Sequence, residues 1–220
     1  MINVNGININ YKKSGSGEAL ILLHGNGEDH SIFAPLIQKF HHDYTVYAVD
    51  SRNHGLSEKT AIYDYKVMAD DIYALIMALA IDPVNIIGFS DGAIISLLLA
   101  LHDQSVISKM ALLGVNLSPA DFNAETFEFM QQYYEQTGDP LYKMMLEQPH
   151  IDISSLKDVT VPAFVIGAEN DIYHPEVFSS IAEALPHSKL KVVPDHDHGS
   201  YIINNDLLYS ELADFFSNSV

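Results

Sequence analysis

Three residues of this chain are of the types that let a hydroxyl attack a carbonyl carbon: Ser90, Asp171 and His198. A Ser hydroxyl is a poor nucleophile near neutral pH, so an imidazole must take its proton as it attacks. The imidazole needs an acceptor on its other nitrogen, which fixes the tautomer and stabilises the cation that forms. Ser90 lies in Gly88-Phe89-Ser90-Asp91-Gly92, between the β-branched run 84–87 and a long apolar segment of helix formers. Strand, tight turn with small ends and a central Ser, then helix: this context turns a G-x-S-x-G match into a nucleophile elbow. Such a turn strains the Ser backbone, and side chains at Gly88 and Gly92 would meet neighbouring backbone. The hydroxyl then stands clear of the strand end, and the Asp91 N–H points inward from the helix N-terminus.

The elements around the elbow must bring Asp171 and His198 to it. Asn5-Gly6 between short alternating runs signals a hairpin. Residues 19–23 read as a buried strand, Phe33, Leu36, Ile37 and Phe40 as a helix face, and 44–49 as the next strand. Met68, Ile72, Leu75, Ile76 and Leu79 mark an amphipathic helix over 65–81, which leads to the elbow strand. Strands follow at 110–115, at 161–166 and at 189–193, where Pro194 is expected to end the last one. Pro175 is expected to start a helix carrying Phe178, Ile181, Ala182 and Leu185, and Tyr201 the terminal helix with Leu208, Leu212, Phe215 and Phe216. This alternation predicts an α/β fold, a mainly parallel twisted sheet with helices on both faces. In such a sheet, chemistry collects at the carboxyl ends of the strands, and Ser90, Asp171 and His198 each sit just past one.

Residues 118–158 break the pattern, with two helix-like pieces rich in Phe, Tyr and Met and no strand between them. One reading is a short helical lid over the carboxyl edge of the sheet, its Phe127, Met130, Tyr134 and Met145 lining an adaptable apolar pocket. The other is a helical excursion whose apolar stripe is its own core. The chain reads as one domain over 1–220 with this insertion.

Composition narrows the function. A formal charge of −18, from 29 acidic and 11 basic residues, argues against nucleic acid or an anionic membrane as partner. The absence of cysteine excludes a disulfide framework and a thiolate nucleophile or metal site. The first residues lack the basic and apolar regions of a signal peptide, and the apolar run 93–101 falls short of the roughly 20 residues that span a bilayer. A cytoplasmic protein is expected.

Taken together, the motifs resemble the α/β-hydrolase superfamily, its Ser-nucleophile esterase and lipase-like branch, over nearly the whole chain. His24-Gly25-Asn26-Gly27 resembles the oxyanion loop of that family, and Asp50-Ser51-Arg52-Asn53-His54-Gly55-Leu56-Ser57 its D-x-R-G-x-G-x-S stretch, with Asn53 in place of a Gly. Gly88 to Gly92 matches the elbow, the loop ending in Asp171 that of the acid, and His198 the late histidine, all in the family's order Ser, Asp, His. The resemblance implies a Ser90–His198–Asp171 catalytic triad. It also implies an oxyanion hole built from the backbone N–H groups of Asn26 and Asp91.

The expected reaction is hydrolysis of a small to medium carboxylic ester through an acyl-enzyme, with no cofactor and no metal. Lactone, thioester, amide or C–C bond cleavage would use the same groups. His196 is the alternative base and Glu169 the alternative acid. Two rival classes are a metal hydrolase using Asp195-His196-Asp197-His198, and a ligand-binding receptor that keeps the pocket without turnover. Acidic residues near the entrance (Glu28, Asp29 and Asp91) favour a neutral or cationic ester over an anionic one.

Overall fold

The computed structural model describes residues 1–218. The chain opens with a hairpin, β1 (Ile2–Val4) and β2 (Ile7–Ile9), in which Val4 faces Ile7. Both turn residues, Asn5 and Gly6, have positive φ (50° and 79°), as a two-residue hairpin loop matching the strand twist requires. β3 (Tyr11–Gly15) then joins the main sheet as an antiparallel edge strand.

Fully apolar strands need cover on both faces, and β4 (Glu18–Leu23) shows the consequence. Its Ile21 and Leu23 enter one hydrophobic cluster, its Leu20 and Leu22 a second. With β5 (Tyr44–Val49), β6 (Val84–Phe89), β7 (Ile107–Leu113), β8 (Ala163–Asn170) and β9 (Ser188–Asp197), the sheet runs β3–β5–β4–β6–β7–β8–β9. All neighbours from β5 to β9 are parallel. α1 (Ala34–Phe40) and α7 (Tyr209–Ser217) cover one face, through Leu36, Phe40, Leu212, Phe215 and Phe216. α2 (Tyr65–Leu79), α3 (Asp91–Asp103) and α6 (Val177–Ala184) cover the other, through Ile72, Leu75, Ile95, Leu99, Phe178 and Ile181.

The insertion holds α4 (Ala124–Thr137) and α5 (Pro140–Glu147), flanked by short 3-10 turns and without a strand. Within these two helices only Met130 and Met144 are buried. No helix of the described residues is long and apolar enough to cross a membrane.

Three expectations at the carboxyl-terminal end need correction. Pro194 does not end β9, which continues to Asp197 past an irregularity between the pairs Ala168–Val193 and Asn170–Asp197. β9 is an edge strand, where a residue without an N–H costs no ladder bond if it faces outward. The terminal helix starts at Tyr209 rather than Tyr201, because Tyr201 and Ile202 are wholly buried and hold a turn in which Ile202 and Ile203 both donate to the Gly199 carbonyl. The helix after Pro175 starts two residues later, at Val177.

Candidate active site

Ser90 sits between β6 and α3 with φ 52° and ψ −116°, a backbone conformation that costs a non-Gly residue of order 1–3 kcal/mol. The surroundings hold it there. Its N–H donates to the Leu113 carbonyl of β7 at 2.8 Å. A Cβ on Gly88 would strike the Gly92 carbonyl, and one on Gly92 the Leu23 carbonyl of β4. Both glycines therefore let α3 leave the sheet at this angle.

His198 is the first residue past β9, and its Nε2 lies 3.0 Å from Ser90 Oγ. Its Nδ1 lies 2.7 Å from Asp171 Oδ1, just past β8. The carboxylate can only accept, so Nδ1 carries the proton and Nε2 is left to accept from the Ser90 hydroxyl. Asp171 is fixed in turn: Oδ1 accepts the Ile172 N–H at 2.8 Å and Oδ2 the Ala168 N–H at 3.1 Å. Three strand ends expected to meet do meet.

The imidazole also needs room between β6 and β8, and β7 provides it. Gly114 follows β7 with φ 60°, and a Cβ there would lie 2.6 Å from His198 Cε1. Phe89 packs tilted on the imidazole at 5.0 Å and Tyr173 meets it edge-on at 5.4 Å. Neither Gly114 nor Tyr173 belongs to a sequence motif. A glycine closing a strand was the available signal for the first.

The alternatives point elsewhere. His196 Nδ1 pairs with Ser200 Oγ at 2.9 Å, and Glu169 Oε2 accepts the Asp195 N–H at 2.9 Å. Asp197 Oδ1 accepts the N–H groups of Gly199 and Ser200. His196 and Asp197 thus both turn to Ser200 while His198 turns to Ser90 and Asp171, and the row from 195 to 198 gathers no cluster of ligand atoms among the described residues. Among the described residues, one trio of ligand-type atoms gathers elsewhere: Asp29, His30 and Asp50. There Asp50 Oδ1 accepts both the N–H and the Nδ1–H of His30, at 2.9 and 2.6 Å, so the carboxylate ties a loop to β5.

Among the described residues neither the Asn26 N–H nor the Asp91 N–H has an acceptor. His24 anchors the loop that carries Asn26, donating through Nδ1 to the Gly25 carbonyl at 2.7 Å and accepting the Ser51 N–H on Nε2 at 3.1 Å. Burial, then the neighbouring His54, lower its pKa to about 4, which keeps it neutral for these two bonds. The stretch 50–57 is likewise a scaffold. Arg52 makes a buried two-point pair with Asp71 at 2.8 and 2.9 Å. Asn53, at the family's Gly position, has φ 66°, which Asn tolerates better than most residues.

A cavity of about 500 Å³ opens over Ser90 and His198. The sheet side contributes Phe89 and Ile172, and the insertion contributes Phe122, Phe129, Met130, Tyr142 and Met145. Two of the expected lining residues are therefore in place, Met130 and Met145, and two are not. At about 100° per residue, Phe127 and Tyr134 lie on the flank of α4 turned away from Thr126 and Phe129. Phe127 packs against the core. The lining carries two carboxylates, Glu28 and Glu125, and neither Lys nor Arg. Glu28 Oε2 accepts the Gly25 N–H at 2.9 Å, whereas Asp29 turns away and caps Ser31. Burial is the main cause raising the Glu28 pKa to about 7, against the lowering effects of the Gly25 N–H and of His198.

Comparison with known proteins gives a consistent set of relatives. A model of the alpha/beta hydrolase fold matches residues 18–143. The chain is 36% identical over 93 residues to a 2-(acetamidomethylene)succinate hydrolase of Mesorhizobium japonicum, a match that covers 42% of the chain and 34% of that protein. It is 26% identical to human serine hydrolase BPHL, over 98% of the chain and 84% of the relative. The solved enol-lactonase of Burkholderia xenovorans superposes with a TM-score of 0.82 at 21% identity, over 98% of each chain.

Proposed function

This chain belongs to the α/β-hydrolase fold family, and from that premise we propose that it is a serine hydrolase cleaving a small to medium carboxylic ester through an acyl-enzyme. The observation that carries the proposal is the continuous line from Asp171 through His198 to Ser90 Oγ, with bonds of 2.7 and 3.0 Å. As Ser90 Oγ attacks the carbonyl carbon, His198 Nε2 takes its proton, and Asp171 stabilises the imidazolium. The carbonyl oxygen becomes an oxyanion facing the N–H groups of Asn26 and Asp91. Collapse expels the alcohol, which receives the proton from His198. Water activated by the same imidazole then releases the acid.

The pocket supports an apolar acyl group and a neutral or cationic ester. Turnover of p-nitrophenyl esters of graded acyl length, with lactones and thioesters alongside, tests this reading. The expected order is esters first, with a preference for short to medium acyl chains. No turnover of any activated ester would refute it, and faster lactone opening would move the assignment within the same chemistry.

Glu28 makes the charge preference depend on pH. A carboxyl with its pKa raised to about 7 is neutral below that pH and charged above it, so the pocket gains a negative charge as pH rises through 7. The ratio of kcat/KM for a carboxylate-bearing ester to that of its neutral counterpart is expected to fall by on the order of tenfold between pH 6 and 8. Steps common to both esters cancel in this ratio. In Glu28→Gln the ratio is expected to stay flat, and a wild-type ratio that is flat as well would remove Glu28 from substrate selection.

A further inference from the structure

The mechanism leaves one buried carboxyl beside the nucleophile without work. Asp91 is 2% exposed and opens α3, and its partners are neutral: Tyr65 Oη at 2.7 Å on Oδ1 and Asn26 Nδ2 at 3.0 Å on Oδ2. A buried carboxyl is expensive, and an apolar residue of similar size would fill the space without that cost. In some proteins a buried polar group serves to specify position rather than to add stability.

What it positions follows from where its partner sits. The two donors facing the oxyanion belong to segments 65 residues apart, the loop after β4 and the start of α3. Asn26 stands between Gly25 and Gly27, and Gly27 has φ 71° with nothing near its Cα on the side-chain face. A residue flanked by two glycines has wide backbone freedom unless something pins it. His24 and Glu28 hold Gly25, and Asn26 itself is held by its side chain, whose Nδ2 donates at 3.0 Å to the carboxyl of the residue that carries the second donor and at 3.5 Å to the Leu141 carbonyl.

Resting on the serine-hydrolase reading, we infer that Asp91 is a positioning residue whose carboxyl, oriented by Tyr65, holds Asn26 so that both N–H groups converge on one oxyanion. Tyr65 is itself fully enclosed, and its N–H donates to Gln148 Oε1 at 3.2 Å, just past α5. Gln148 Nε2 donates to the Tyr63 carbonyl at 3.3 Å, so the far end of the tie is anchored in the insertion. Burial pushes the Asp91 carboxyl up, while the bonds from Tyr65 and Asn26 pull it down. The tie survives either protonation state, because a neutral carboxyl still accepts from Asn26 and can donate to Tyr65 Oη.

Asn26→Ala tests this, since it keeps the backbone N–H and removes only the pin. The expected result is a loss of about tenfold to a hundredfold in kcat on an activated ester, with KM changed less than about threefold. Affinity for an alkylboronic acid, whose adduct with Ser90 is a tetrahedral anion, should fall by the same factor. Tyr65→Phe should show a smaller loss of the same kind, and the double variant should lose less than the product of the two, because both act through Asp91. Unchanged kcat and boronate affinity in Asn26→Ala would overturn the inference, as would a lowered Tm with kcat intact, since that is what a purely structural contact predicts. A wild-type protein that neither hydrolyses esters nor takes a phosphonate label at Ser90 would instead overturn the serine-hydrolase reading itself.

Discussion

Ser90→Ala is expected to lose on the order of a millionfold in ester turnover and all covalent labelling by an organophosphonate, with Tm essentially unchanged. The size of the effect follows from the chemistry. Alanine leaves the two N–H donors in place but removes the only atom that forms the acyl bond, so any remaining rate comes from polarising the carbonyl toward water. Stability should hold because the hydroxyl bonds to His198, which is itself partly open to the cavity. Alanine also accepts the strained φ of 52° no worse than Ser does. Intact-mass spectrometry after incubation with the probe reads the result directly. A single adduct on the wild type and none on the variant is the expected pair, and an adduct that persists in Ser90→Ala would move the nucleophile elsewhere.

The second large effect separates two histidines that stand two residues apart. His198→Ala should lose on the order of 10⁴- to 10⁶-fold in kcat, whereas His196→Ala should stay within about threefold of the wild type. His198 Nε2 faces Ser90 Oγ and its Nδ1 faces Asp171, so its removal leaves the hydroxyl without a proton acceptor. His196 pairs only with Ser200 Oγ, near the surface. Asp171→Asn should fall between the two, near 10⁴-fold, because an amide at that position favours the wrong imidazole tautomer. Single-turnover kinetics on an activated ester would show the loss in the acylation step. Equal losses in both histidine variants would mean that the loop carrying them, rather than one imidazole, sets the rate.

The alternation of apolar runs and helical stripes was enough to determine a mainly parallel sheet covered on both faces. Residues 20–23, 46–49 and 110–113 are wholly buried, and only helices on both sides of the sheet can cover them. The elbow was legible for a local reason: Gly-x-Ser-x-Gly between a strand and a helix allows few backbone paths, and Ser90 takes the strained one. Asp171 and His198 were legible because their strand ends lie at one edge of a parallel sheet, whatever the details of the loops.

Packing between segments distant in sequence decided the rest. Residues 201–202 carry the apolar types of a helix start, yet they plug the core as a turn, because tertiary burial outweighs the modest preference of a few residues for helix. On α4, Met130 lines the cavity while Phe127 and Tyr134 do not, because the rotation of the helix about its axis is set by what it packs against, which periodicity alone leaves open. The Tyr65–Asp91–Asn26 tie joins residues from three segments. Composition gives no sign of it, since a hydrogen bond depends on angstrom-scale distances that only the folded chain sets.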